Sequence, residues 1–223
     1  QYVEAYVHTL AHEMKSPIAA IRGSAELLEG PLPDADRARF AASIRAQSER
    51  MAETIDKLLA LAAVEHRQRL DAVEPIDLIA LFDDVAGQCA SRVAASGLTL
   101  QRSIDDALPA LSGDAVLLRQ ALANLVDNAA DFAPGGTAIE LAAAASPDGV
   151  AITVADRGPG VPDYAVGRVF ERFYSLPRPG GGSRSSGLGL CFVAEVAQLH
   201  GGEALLANRD GGGAVATLRL PAG

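Results

Sequence analysis

The sequence predicts a multidomain α and α+β protein: an amino-terminal helical hairpin that dimerises into a four-helix bundle, followed by an α/β two-layer sandwich. Three observations predict it. Two apolar stripes of helical period flank a proline-containing break, a short run of mixed charge then interrupts the pattern, and helical and alternating segments take turns from there to the carboxyl end. The boundaries that follow are a hairpin over 1–66, a linker over 67–74 and a second domain over 75–223.

In the first stripe Leu10, Met14, Ile18, Ile21, Ala25 and Leu28 recur at steps of three and four, the spacing of one helix face. Gly30-Pro31-Leu32-Pro33-Asp34 cannot continue a helix, because proline lacks the N–H and clashes with the preceding turn. Phe40, Ile44, Met51, Ile55, Leu58 and Ala62 then repeat the pattern. Two helices joined by a short turn form an antiparallel hairpin, and one hairpin offers too little partner surface for both stripes. A homodimeric four-helix bundle is the economical solution.

Beyond the charged stretch from His66 to Glu74, helices are expected at Ile76–Ala95, at Asp114–Ala133 with Asp114 as its cap, and at about Leu188–Leu199. Strands are expected at Leu98–Ser103, Ala138–Ala144, Val150–Ala155, Glu203–Ala207 and Ala214–Leu220, the middle pair joined by a turn at Ser146-Pro147-Asp148-Gly149. Aromatic residues make up 4% of the chain and Trp is absent, so the core must be built from Ala, Leu, Val and Ile. A net charge of −9 argues against a nucleic-acid surface, which needs clustered Lys and Arg. Cys89 and Cys191 have no metal or redox spacing and read as buried thiols in a reducing compartment. The longest apolar run, Leu58–Val64, is far short of the ~20 residues that cross a bilayer. With Gln1 already inside a helical pattern, the chain reads as an excised cytoplasmic portion, and any sensor or membrane segment would lie upstream.

Four motifs carry chemistry: A-H-E-M-K-S-P at Ala11–Pro17, N-L-V-D-N at Asn124–Asn128, D-R-G-P-G at Asp156–Gly160, and G-L-G-L at Gly187–Leu190. On a helical wheel His12 falls about 200° from Leu10, whereas the apolar stripe covers about 0–80°, so His12 faces solvent. His8 and His12 lack the third ligand a metal site needs. Asn124 and Asn128 lie four residues apart on one helix face, with Asp131 close to it. The glycine pattern is neither a P-loop nor a dinucleotide fingerprint, since no G-K-[ST] follows and no strand-first G-x-G-x-x-G is present.

In this order and spacing the motifs resemble the phosphoacceptor helix and the Bergerat-type (GHKL) ATP-binding domain of two-component sensor histidine kinases, over nearly the whole chain. The runs Lys15–Gly23 and Glu171–Pro179 look like the carbon-source-responsive CreC branch of that family. The resemblance implies that ATP phosphorylates His12, that Glu13 accepts the proton the imidazole sheds, and that Ser16 orients water for phosphatase action on a partner. Pro17 should bend the helix just beyond the histidine. It further implies that Asn128 ligates Mg²⁺ while Asn124 lines the same pocket, that Asp156 receives the adenine amino group, and that Gly158 and Gly160 let backbone approach the base. Phe173 lies in an F box that anchors a lid, and Gly187, Leu188 and Gly189 form a second glycine box facing phosphate. Lys15, Ser16, Ser185 and Ser186 depart mildly from the usual residues.

Asp131 departs more seriously, standing where relatives carry a basic residue. A carboxylate beside a triphosphate is repulsive, so Arg178 or Arg184 is expected to offset it. The implied partners are a second copy of the chain and the receiver domain of a response regulator. Two rivals remain at this stage: a hydrolytic ATPase of the same superfamily, which has no use for a solvent-facing histidine, and a degenerate module that binds nucleotide or regulator without transfer.

Overall fold

The computed structural model describes residues 2–179 and 185–223, with the side chains of the first helix described from Met14 onward. The chain divides into two compact units, Gln1–Ala60 and Leu61–Gly223. The first is the hairpin, formed by α1 (Tyr2–Leu28) and most of α2 (Asp34–Glu65). Asp34 and Asp36 open α2, where carboxylates meet the positive end of the helix dipole. α1 runs unbroken through Pro17, which costs it the hydrogen bond to the Glu13 carbonyl.

Within the hairpin, Ser24 and Thr54 are buried; Ser24 Oγ donates to Ser43 Oγ at 3.5 Å and Thr54 Oγ1 to the Arg50 carbonyl at 2.9 Å. Ile18, Leu27, Ile55 and Leu59 stay exposed. The last turn of α2 belongs to the second unit, where Leu61 and Val64 are buried and Glu65 lies 2.5 Å from Arg172.

The second unit opens with β1 (Glu74–Pro75), which pairs antiparallel with β3 (Ser112–Gly113) in a small ribbon that the periodicity does not reveal. Between them come α3 (Leu78–Ala95) and β2 (Thr99–Ile104). α3 starts two residues later than expected because Asp77 takes the cap position, its carboxylate accepting from Ile79 N–H at 2.9 Å and Ala80 N–H at 3.1 Å. After β3 follow α4 (Ala115–Phe132), the hairpin of β4 (Ala138–Ser146) and β5 (Gly149–Ala155), the one-turn α5 (Asp163–Val166), α6 (Gly189–Leu199), β6 (Glu203–Asn208) and β7 (Ala214–Pro221).

Five strands form one sheet in the order β2-β4-β5-β7-β6, with only the β2–β4 pair parallel. β4 pairs Ser146 with Gly149 across Pro147-Asp148, the expected turn. The helices α3, α4 and α6 cover the sheet, as the two-layer expectation requires. Leu118, Leu122 and Val126 of α4 are sealed with Ile139, Leu141, Ile152 and Leu218 of the sheet, while Ala121 and Ala129 let neighbouring helices approach closely. Aliphatic residues and small alanines thus do the work that aromatic residues do elsewhere. Both cysteines are free and buried; burial, with the Asp127 carboxylate, pushes the Cys89 thiol up to about 11, so it is unreactive at neutral pH.

Candidate functional site

α4 organises the site. Asp114 caps it, the carboxylate accepting from Val116 and Leu117 N–H at 3.0 Å each. Buried His200 in turn accepts the Asp114 N–H on Nε2 at 3.0 Å and donates from Nδ1 to the Val196 carbonyl at 2.8 Å, a pattern that requires the neutral ring with its proton on Nδ1. One face of α4 is core; the other turns Asn124, Asn128 and Asp131 toward the surface, all half-buried. Neither amide has a hydrogen-bond partner among the described residues. Glycines from two other segments approach the same helix. A side chain at Gly189 would stand 3.5 Å from Asn124 Oδ1, and one at Gly158 would stand 2.7 Å from the Phe132 carbonyl.

Asp156 follows β5 and is buried. Its Oδ1 accepts from Gly158 N–H at 2.7 Å and Ala214 N–H at 3.3 Å, which leaves Oδ2 without a partner among the described residues. Gly160 has φ +77°, and a Cβ there would come within 2.6 Å of Asn208 Oδ1. Asn208 is a residue the sequence reading missed. Its side chain accepts the Val161 N–H at 2.6 Å and returns Nδ2 to the Val161 carbonyl at 2.8 Å, copying a strand partner and locking the loop. Arg209 adds a strut, reaching the Asp156 carbonyl at 3.3 Å and the Glu140 carboxylate at 3.2 Å. That carboxylate is held below its ordinary range, chiefly by the hydrogen bond from Arg209. Gly213 completes the wall, since a Cβ there would collide with the Asp156 carbonyl. The run Gly211–Gly213, with positive φ throughout, was the signal available in the sequence.

The F-box segment and the second glycine box are stitched together. Phe173 N–H donates to the Gly187 carbonyl at 3.0 Å, and a Cβ on Gly187 would sit 2.5 Å from the Phe173 carbonyl carbon. Phe173 adopts φ +61°, an uncommon left-handed conformation for a side chain of that size. Phe170 and Tyr174 pack on a satellite core of Val161, Ala165, Val169 and Ala214, so the motif is also a packing element. Leu188 is fully buried, which leaves only its backbone to face a ligand.

Asp131 has both oxygens occupied, by Arg92 on one side and Arg178 on the other. Arg178 is one of the two arginines expected to offset it; Arg184 lies outside the described residues. Arg92, from α3, is the one no motif announced.

The second unit therefore holds Asn124, Asn128 and Asp131 on α4, with Gly189 beside Asn124 and Gly158, hydrogen-bonded to Asp156, beside Phe132; Gly160, Phe173, Gly187 and Leu188 lie in the same unit. His12, Glu13 and Ser16 sit on α1 in the first unit; Lys15 and Ser16 are exposed, and the His12 and Glu13 side chains lie outside the described residues.

Residues 3–67 match the His Kinase A (phospho-acceptor) domain, and residues 113–223 match the histidine kinase-, DNA gyrase B-, and HSP90-like ATPase family. The chain belongs to the sensor histidine kinase family. Within it, the chain is similar to the sensor protein CreC of Escherichia coli (strain K12), 46% identical over 98% of this chain and 45% of that protein. It is also similar to the sensor-like histidine kinase SenX3 of Mycolicibacterium smegmatis, 33% identical over 97% of this chain and 56% of that protein. The chain spans about half the length of these relatives. Among solved structures, Acinetobacter baumannii histidine kinase AdeS has the same fold, with a TM-score of 0.71 over 95% of this chain and 98% of that one at 20% identity. Full-length ShkA, solved in complex with AMPPNP, gives 0.68 over 98% of this chain and 46% of that one at 26% identity. No helix among the described residues is long and apolar enough to cross a membrane.

Proposed function

We propose that the chain is the catalytic portion of a sensor histidine kinase, which transfers the γ-phosphoryl group of ATP to His12 and passes it to an aspartate of a response-regulator receiver domain. The observation that carries this reading is the approach of two glycine motifs to α4, Gly189 beside Asn124 and Gly158 beside the Phe132 carbonyl, with the Asn124 and Asn128 amides and Asp156 Oδ2 without partners among the described residues. The working division is a phosphoacceptor hairpin over 1–66, a linker over 67–74 and an ATP-binding domain over 75–223.

Asp156 Oδ2 suits the adenine amino group as donor, and Gly158 and Gly160 keep the floor free of side chains. Phe173 and Gly187 hold the two motifs together, Gly189 opens α6 with a bare N–H toward phosphate, and Arg184, between those motifs in sequence, adds charge for phosphate. The backbone of Leu188 lines the same turn. The amide oxygens of Asn128 and Asn124 fit a hard cation, with Asn128 the ligand for Mg²⁺. When bound, Mg²⁺ supplies charge neutralisation between phosphates. At His12 a neutral ring nitrogen forms the N–P bond as the bond from γ-phosphorus to the β-bridging oxygen breaks and ADP leaves. Glu13 receives the proton released from the other ring nitrogen. In the second transfer the N–P bond breaks as a receiver carboxylate forms an acyl phosphate. Ser16, exposed on α1, orients water for the reverse duty of dephosphorylating that partner.

The uncovered residues Ile18, Leu27, Ile55 and Leu59 support a homodimeric bundle. Attachment to an inner membrane would come through a segment preceding this portion, leaving the chain on the cytoplasmic side. The pairing of Asp131 with two guanidiniums offsets its charge and supports transfer over a module that only binds. Incubation with γ-labelled ATP and Mg²⁺ should label the parent chain and leave His12→Gln blank. An unlabelled parent would sink the kinase reading, and label in the variant would sink His12 as acceptor.

A further inference from the structure

Asp131 lies on the face of α4 that also presents Asn124 and Asn128, and its two arginines are not equivalent. Arg92 springs from the helix α3 and is anchored a second time, its Nε lying 3.2 Å from Asp127 Oδ1. Arg178 comes from the irregular segment after Tyr174, and Asp131 is its one acceptor among the described residues. It uses Nη2 alone; its Nε is buried with no acceptor. A guanidinium binds best through the Nε–Nη2 edge, which matches two oxygens of a carboxylate or phosphate together. Half of that edge is idle here, and a buried N–H left unpaired is costly. The four charges of Asp127, Arg92, Asp131 and Arg178 alternate and cancel, so with all pairs intact this cluster offers a triphosphate no net positive charge.

We propose that Asp131 is a clasp: it holds Arg178 until nucleotide arrives, and Arg178 then moves its Nε–Nη2 edge onto phosphate oxygens while Arg92 stays behind to neutralise Asp131. Arg178 is thereby a nucleotide-binding residue and Asp131 a positioning residue that takes the place of the missing basic one. This rests on the reading that the α4 face binds ATP. The exchange needs no new charge in the site, because Arg92 already balances the carboxylate that Arg178 leaves.

The test is a double-mutant cycle on the whole 223-residue chain, with ATP and Mg²⁺ as the probe, affinity read by calorimetry at fixed ionic strength, and urea midpoints as the folding control. Asp131→Asn should tighten binding several-fold by releasing Arg178, and Arg178→Gln should weaken it roughly tenfold. The double variant should match Arg178→Gln within about twofold, because the clasp has nothing left to release. Arg178→Lys, which keeps the charge and loses the fork, should recover only part of the affinity. Equal tightening by Asp131→Asn with and without Arg178 would mean simple charge repulsion and overturn the clasp, as would unchanged affinity in Arg178→Gln. If Asp131→Asn shifts the urea midpoint, Asp131→Glu, which keeps the charge, must hold parental affinity for the clasp to stand. A parent chain that binds no ATP would remove the underlying reading as well, whereas a binding parent with an additive cycle would remove the clasp alone.

Discussion

The hairpin and the sandwich use the same apolar vocabulary of Ala, Leu, Ile and Val, yet they finish with opposite surfaces. In the sandwich, three helices and five strands supply partners on every side, and Leu118, Leu122, Ile139 and Ile152 are 0% exposed. In the hairpin each helix has one neighbour, so Ile18 stays 51% and Leu59 65% exposed. Burial is therefore a property of the number of packed layers rather than of the residues. A two-helix unit taken by itself cannot close a core around both stripes. The polar residues follow the same division. In the sandwich Asp156 and Asn208 fix loops, whereas in the hairpin Lys15 and Ser16, close to His12 in sequence, remain in solvent.

The contrast can be broken most forcefully in the sandwich. Leu122→Ala should cost about 2–5 kcal/mol of unfolding free energy, since α4 cannot collapse onto the cavity it leaves. Urea denaturation reads this directly, and a loss below about 1 kcal/mol would mean the α4 core is looser than its burial indicates. The hairpin should answer differently. Ile18→Asp with Leu59→Asp should leave the unfolding of the sandwich within about 0.5 kcal/mol of the parent, as surface changes do, while shifting sedimentation from dimer to monomer at micromolar concentration. A chain that sediments as a dimer with both charges in place would show that these faces are not the interface.

The smallest effect concerns pH. Glu140 sits below its ordinary value of 4.5 through Arg209, so the pair contributes stability above the unfolded carboxylate range and loses it as pH falls below 4.5 through the lower folded value. Glu140 is 39% exposed, and solvent screening limits the contribution to a few tenths of a kcal/mol. Arg209→Met should therefore flatten the acid limb of the stability curve slightly. An identical acid limb in both proteins would assign the acid loss to other carboxylates.

Much of this molecule could be read from the chain because its signals are local. The stripes around Gly30–Asp34 announced the hairpin, Asp114 announced the start of α4, and the Pro147-Asp148 turn announced β4 and β5. What escaped was set by partners distant in sequence. The two-residue strands β1 and β3 exist only as each other's ladder, too short for any periodicity. Asn208 acts on a loop 47 residues earlier, and Arg92 meets an acid 39 residues later.

Sequence alone determined the class of fold and the spacing of Asn124 and Asn128, since helical geometry converts residue number into direction. It also marked Asp131 as the misfit charge. Only the tertiary structure decided how that misfit is balanced. The two guanidiniums that settle its environment come from α3 and from the segment after Tyr174, and Coulomb energy depends on distances in space that the order of residues does not contain.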